Sequence, residues 1–336
     1  MTDLVLEGLS ARVDGFRMGP VDLQVPEGTA TAVIGPSGAG KTTLLRTVAG
    51  FLPSTGGRVL RDGRDLTRAD PEARSAVYVP QGLALFPHRT VRANVRYPRD
   101  LTGEDRDGRE TEKLLERFGL TALAERMPAA LSTGEQHRVA AARAVAARPA
   151  LLLWDEPLAA LDLPAREELL ETLRAVREET RTALLLVTHD PALAFSLADR
   201  VLVLERGRPR YHGPVDGLIA RPPDVFSARF VGYENVYGPE SLRTAGDSVF
   251  GRRLLESAGP EGVGMRAPSL DPEGPWTGEV RSVEPVLGGF GGRAVVEGFP
   301  VRYRGSGPRV RPGEKARFSV PDDSLVALGG PGAGDR

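Results

Sequence analysis

The chain of 336 residues contains no cysteine, which excludes disulfides and any thiolate metal site. That composition suits a reducing compartment. Lysine is almost missing too: Lys41, Lys113 and Lys315 are the only ones, and every other base is arginine. A lysine inside a motif therefore stands out from the background. The formal net charge is -1, without the basic excess of nucleic-acid-binding domains, so no nucleic-acid partner is expected. No window approaches the roughly 18 to 20 apolar residues of a membrane span. Met1 leads into TDLVLEGLS, which has neither the basic start nor the apolar core of a signal peptide. What is present, 40% hydrophobic and 26% charged residues, is the composition of a globular protein with about two domains. Such a chain is expected to be soluble or to meet a membrane through a partner.

The first 235 residues alternate short apolar runs with helical patterns, the signature of an α/β domain with a largely parallel sheet. TATAVIG (29–35), SAVYVPQ (75–81), PALLLWDE (149–156) and RTALLLVTHD (181–190) read as strands. KTTLLRTVAG (41–50), ETEKLLERFGL (110–120) and PAREELLETLRAVREET (164–180) read as helices, and DRVLVLERGRPRYHG (199–213) as a hairpin turning at Arg206–Gly207. From 236 the texture changes to Gly, Pro and short strand-like runs such as GRAVVEGFPVRYRG, which predicts a small β-barrel or sandwich. Domains are thus expected at 1–235 and 236–328, with a disordered tail at 329–336.

Between a strand and a helix stand Gly35, Pro36, Ser37, Gly38, Ala39, Gly40, Lys41 and Thr42, a fit to GxxxxGK[ST]. Glycines let backbone N–H groups turn in around a phosphate, and the helix N-terminus adds its dipole. Lys41 would reach the β- and γ-phosphates and Thr42 would ligate Mg²⁺; the plainer reading is a glycine-rich turn. Asp155 and Glu156 end the apolar run LLLW, where ligands bind beyond the carboxyl ends of strands. Asp155 would orient the metal through water and Glu156 would polarise the attacking water. Gln81, ending YVPQ, is a candidate for the metal or the water, and His189, ending LLLVT, for the γ-phosphate. Each of these also reads as a satisfied polar residue at a strand end. Asp162 reads as a helix N-cap before Leu163-Pro164. Ser132 and Glu135 in LSTGEQHR fit a capping box, on a helix start also suited to phosphate.

The motifs GPSGAGKTT, VPQ, LSTGE, LLLWDEP, ALD and VTHD, in this order and spacing, resemble the Walker A, Q-loop, signature, Walker B, D-loop and H-loop of ABC transporter ATPases. The resemblance implies an α/β P-loop NTPase core of ABC type with an inserted helical subdomain at about 82–148. It also implies ATP and Mg²⁺ as cofactors and a head-to-tail homodimer that sandwiches ATP. Nucleotide contacts carry over to Gly35 through Thr43, with Ser132 and Gly134 of the signature meeting the γ-phosphate held by the other copy and Asp162 crossing the same interface. Thr133 and Glu135 depart from the usual LSGGQ, and Glu135 is carried over with the signature as a nucleotide-site residue. Phe16 is the aromatic nearest the expected adenine-stacking place. FPHRTV (86–91) resembles the region that meets the coupling helices of membrane subunits.

FSARFVGYENV (226–236), GVGMRAPSL and the strands after it resemble the link and OB-like regulatory domain of importers for molybdate, sulfate, ferric iron, polyamines or sugars. The expected role is the ATP-hydrolysing subunit of an importer, peripheral on the cytoplasmic face of the cell membrane. Its expected partners are two transmembrane permease subunits and, indirectly, an extracytoplasmic solute-binding protein. A small inorganic ion is the favoured solute. The alternatives are an ABC-type ATPase of DNA repair or translation, and a ligand-sensing C-terminal domain with an ATPase attached.

Overall fold

The computed structural model describes residues 3–105, 107–158, 161–243, 248–266, 269–270, 275–286, 289–305, 310–320 and 324–328. The chain divides into two compact units, Met1–His212 and Gly213–Arg336.

The first unit runs β1 (Leu4–Val13), β2 (Phe16–Val25), β3 (Ala30–Ile34), α1 (Lys41–Val48), β4 (Gly56–Arg61), β5 (Arg64–Asp65), β6 (Ala76–Val79), α2 (Val91–Thr102), α3 (Arg109–Arg117), α4 (Thr133–Ala146), β7 (Leu151–Asp155), α5 (Leu163–Thr180), β8 (Ala183–Thr188), α6 (Pro191–Leu197), β9 (Arg200–Glu205) and β10 (Arg208–Pro214). A six-stranded sheet in the order β10-β9-β3-β8-β7-β6 forms its centre. The pairs β3/β8, β3/β9, β7/β8 and β6/β7 are parallel. Every residue of β3, β7 and β8 is buried, because helices cover both faces of a parallel sheet and such strands read as continuous apolar runs. The β9–β10 hairpin turns at Arg206 (φ 49°) and Gly207 (φ 80°), the backbone that matches strand twist in a two-residue turn. A second sheet, β2-β1-β4-β5, not expected from the sequence pattern, is antiparallel. Leu4, Leu6, Leu9, Met18 and Val21 of that sheet share one core with Leu44, Leu45 and Val48 of α1 and with Leu153 and Leu185.

The second unit runs α7 (Val215–Ala220), α8 (Val225–Phe230), β11 (Asn235–Tyr237), α9 (Pro239–Arg243), α10 (Val249–Glu256), β12 (Gly262–Met265), β13 (Ser269–Leu270), β14 (Trp276–Val286), β15 (Gly289–Val296), β16 (Phe299–Gly305), β17 (Lys315–Ser319) and β18 (Leu325–Leu328). Strands β13-β16-β15-β14-β17 close into a barrel, filled by Val280, Ala294, Val296, Val301, Tyr303 and Phe318. Helices α9 and α10 fall in a stretch read only as β. Ser248 caps α10 by accepting from the Gly251 N–H at 2.9 Å, and Phe250 and Leu254 drop into the barrel core. β18 pairs with β12 in a separate three-stranded sheet, β11-β12-β18, and stays out of the barrel.

The sequence texture changes at 235/236, whereas the packing boundary lies at 212/213. Helices α7 and α8 account for the interval. Ala228 and Tyr233 form a small core with Leu328, and the Tyr233 hydroxyl donates to the Ile219 carbonyl at 2.8 Å. The tail expected to be disordered, 329–336, lies outside the described residues.

Candidate functional site

The loop 35–40 leaves the end of β3 in the middle of the sheet and opens α1. Gly35 is required there by space, and Gly40 is favoured by φ in a tight place. At Gly35 a Cβ would lie 2.2 Å from the Leu204 carbonyl oxygen, and at Gly40 (φ 100°) it would lie 3.0 Å from the Phe16 ring. The hairpin turn holds the loop from outside, the Gly207 N–H donating to the Ala39 carbonyl at 2.9 Å. Gly40 is the N-cap of α1 and supplies no side-chain cap, and no acid stands in the first turn. The N–H groups and the positive end of the helix dipole are therefore directed at whatever enters the loop.

Lys41 is 7% exposed. Its Nζ donates to the carbonyls of Gly35 at 2.9 Å and Pro36 at 3.1 Å. Burial pushes its pKa down, opposed by the carboxylates of Glu156 and Asp155. Those two contacts leave an ammonium, which has three donors, able to serve a phosphate.

Asp155 is the last residue of β7 and is buried. Thr42 Oγ1 donates to Asp155 Oδ1 at 3.1 Å, and the Tyr78 hydroxyl donates to Oδ2 at 3.4 Å. Burial raises the Asp155 pKa, the Thr42 bond opposes that, and the neighbouring Glu156 charge adds to it. The Tyr78 hydroxyl is pushed up to about 12, first by burial and then by the Asp155 charge. The part Tyr78 takes here is not visible in the sequence pattern. Tyr78 pairs with Leu153 across β6/β7 and so shares a face with Asp155 two residues on. Only the strand register, which the sequence does not print, could have found it.

Glu156 follows with φ 52°, a left-handed backbone that non-glycine residues rarely adopt. Its N–H still donates to the Val187 carbonyl at 2.9 Å. Its carboxylate meets His189 just beyond β8, with Nδ1 2.9 Å from Oε1. A carboxylate only accepts, so Nδ1 carries the hydrogen. Glu156 is 12% exposed and His189 60%, so the carboxylate is sheltered and the rest of the ring faces out.

The structure thus brings together Gly35, Gly40, Lys41, Thr42, Asp155, Glu156 and His189 beyond the carboxyl ends of β3, β7 and β8. Gln81 is not joined to them: it is exposed in the turn after β6 and makes no side-chain hydrogen bond among the described residues. Phe16 packs against Gly40 and the core of the first unit. It also lines, with Gly38, Arg17 and Arg206, a cavity of about 1020 Å³ beside the loop. Ser132 closes a full capping box, its N–H donating to Glu135 Oε2 at 2.7 Å and its Oγ accepting from the Glu135 N–H at 3.3 Å. The first of those bonds holds the Glu135 carboxyl below its ordinary range. Asp162 caps α5, accepting from the Ala165 N–H at 3.0 Å.

Hard oxygen donors with a hydroxyl and a carboxylate in register fit Mg²⁺, which usually takes only one or two protein oxygens and fills the rest with water and phosphate. The Thr42–Asp155 pair at 3.1 Å meets that description. No cluster of three or more His, Asp or Glu able to hold a metal occurs among the described residues. No described helix is long and apolar enough to cross a membrane.

The family model described as ABC transporter matches residues 18–159. The iron(III) import ATP-binding protein of Streptomyces avermitilis is 43% identical over 246 residues, 73% of this chain and 71% of that protein. The molybdate/tungstate import ATP-binding protein of Thermococcus kodakarensis is 40% identical over 69% of this chain and 71% of its own length. Among solved structures, the ATP-binding cassette MJ0796, a dimer in a post-hydrolysis state with ADP and phosphate, matches with a TM-score of 0.56. Its sequence identity is 26%, and the match covers 63% of this chain and 98% of that one. Built on this phosphate loop and these strand-end carboxylates, the chain belongs to the ABC transporter family and is an ATPase similar to the ATP-binding subunits of importers.

Proposed function

We propose that the chain works as a head-to-tail homodimer in which two ATP molecules are each held between the phosphate loop of one copy and the Ser132 helix start of the other. The observation that carries this reading is the joined set Lys41, Thr42–Asp155 and Glu156–His189, together with a second helix start at Ser132 that this set does not use. Gly38, Gly40 and Lys41 bind the phosphates, and Thr42 and Asp155 would hold Mg²⁺, which would supply offsetting positive charge to the phosphates. Glu156 takes a proton from water as the water oxygen bonds to the γ-phosphorus. The bond to the β-phosphate oxygen breaks, and ADP and phosphate leave. His189 holds the Glu156 carboxylate in place through Nδ1–H, leaving Nε2 to face the γ-phosphate. Gln81, from its exposed turn, reaches the metal or the water on closure, and Phe16 stands beside the adenine. Ser132 and Gly134 meet the γ-phosphate of the other copy, and Asp162 lies at that seam.

ATP binding closes the dimer and hydrolysis reopens it, a cycle that drives attached membrane subunits. The relatives named above are importer subunits for ferric iron and for molybdate or tungstate. They favour a small inorganic ion as solute and transport over DNA repair or translation. Two permease subunits and an external binding protein complete the assembly, with this chain peripheral on the inner face. The Glu156→Gln chain tests the reading by size-exclusion chromatography with Mg-ATP. It should elute as a dimer with ATP and a monomer without, while its turnover drops by about 10² to 10⁴, the range for general-base loss. An unchanged turnover would remove Glu156 from its role.

A further inference from the structure

Helix α4 is fastened to the segment that follows Glu156 in its own chain. His137 is 4% exposed, and its Nδ1 lies 2.8 Å from the Pro157 carbonyl oxygen. A carbonyl only accepts, so Nδ1 is the donor. A Cβ at Gly134 would lie 3.4 Å from the Ala165 Cβ and 3.8 Å from Leu161. Arg138 reaches Glu168 at 2.9 Å, but that pair is partly solvated and contributes little. Of the three contacts, only the His137 bond is both buried and directional.

Its acceptor sits one residue after Glu156, whose strained backbone (φ 52°) is held on the other side by Val187. The donor sits five residues after Ser132, about 7.5 Å along a helix axis. A rigid turn of helix and one hydrogen bond thus separate the place that meets one nucleotide from the carboxylate that serves the other.

We propose that His137 is a positioning residue that couples the two ATP sites, passing the seating of Ser132 on the other copy's nucleotide to the Glu156 of its own site. The proposal rests on the dimer reading above. Closure moves α4, the His137–Pro157 bond carries that movement to the peptide after Glu156, and the carboxylate reaches its working position only when the opposite site is filled. Hydrolysis is then cooperative in ATP.

Asn places an N–H donor at the same bond distance from Cβ as Nδ1 of histidine, Gln places it one bond further out, and Phe keeps the ring without a donor. The test measures ATPase rate against ATP concentration for the full-length wild type, His137→Asn, His137→Phe and His137→Gln, with melting temperature as a folding control. Separately, ATP-induced dimerisation is measured in the Glu156→Gln chain with and without His137→Phe. His137→Phe is expected to dimerise and to keep KM within about twofold, while kcat falls about tenfold, as for a slightly misplaced reacting group. Its Hill coefficient should drop to 1, and His137→Asn should restore both kcat and the Hill coefficient. If His137→Phe does not fold, His137→Gln, with its donor out of register, is expected to show the same loss. A donorless or Gln variant with wild-type kcat and Hill coefficient, or an Asn variant that restores neither, overturns the coupling. A Glu156→Gln chain that stays monomeric with ATP overturns the dimer reading itself.

Discussion

Two helix starts in the first unit carry the phosphate argument, and they are built in opposite ways. At α1 the cap is Gly40, with no side-chain bond and no acid in the first turn. At α4 the cap is Ser132, with Glu135 closing a reciprocal box. The first start is left open, so its N–H groups and dipole depend on a ligand. The second satisfies itself through its own side chains. A serine hydroxyl accepts and donates at once. Ser132 can keep the Glu135 N–H, a long 3.3 Å contact, while giving its own hydrogen to a phosphate. Glu135 is the electrostatic difference, since it brings a negative charge to the self-satisfied end.

Breaking the open start has the largest expected effect. Lys41→Ala removes a buried ammonium whose bonds to charged phosphate contribute about 1.5–3 kcal/mol each, so ATP affinity should fall about a thousandfold by fluorescence titration. At α4 the observed capping role and the proposed phosphate role can be tested apart. Ser132→Asp keeps a good N-cap but sets a charge against phosphate, where like charges cost several kcal/mol, so turnover should fall about a hundredfold with little change in melting temperature. Ser132→Ala should instead lose about 1 kcal/mol of stability in a denaturant titration. Glu135→Gln keeps the box and removes the charge, and should tighten ATP-driven dimerisation in the Glu156→Gln chain several-fold, an effect of about 1 kcal/mol for a part-exposed charge. A dimer weakened by Glu135→Gln would reverse this account of the two ends.

The smallest effect concerns pH. Burial lowers the His137 pKa below its ordinary value of 6.5. As pH falls, the unfolded chain takes up that proton first. The stabilisation from neutral His137 is therefore full above pH 6.5 and is lost as pH drops through the lower folded value. Relative to His137→Asn, which does not titrate, the wild-type melting temperature should decline further between about pH 7.5 and pH 5.

The parallel sheet was legible because β3, β7 and β8 are apolar throughout and end in polar residues, a pattern that only a strand buried on both faces produces. The antiparallel sheet was missed: β1 and β2 alternate imperfectly, with register shifts between Leu6 and Leu9 and between Leu9 and Ala11 that break the period-2 signal. Helix α10 was masked by Gly251 inside VFGRRLLE, a residue that weakens any helix reading. The roles of Tyr78 and His137 depend on which strand or helix lies beside them, and a single segment does not carry that information.

The sequence by itself determined the chemistry of this protein: a lysine and glycines between strand and helix, two carboxylates closing an apolar run, and a serine with a glutamate opening a helix. Residue type and spacing suffice for those, since they rest on local backbone needs. Tertiary structure decided which group serves which. Asp155 meets Thr42 across 113 residues of chain, and Glu156 meets His189 across 33, because β7 lies beside β8 and β8 beside β3. Successive strand residues point to opposite faces, yet Glu156 leaves that alternation with φ 52°. Glutamate has no intrinsic preference for such a backbone, so only the surrounding fold holds it there.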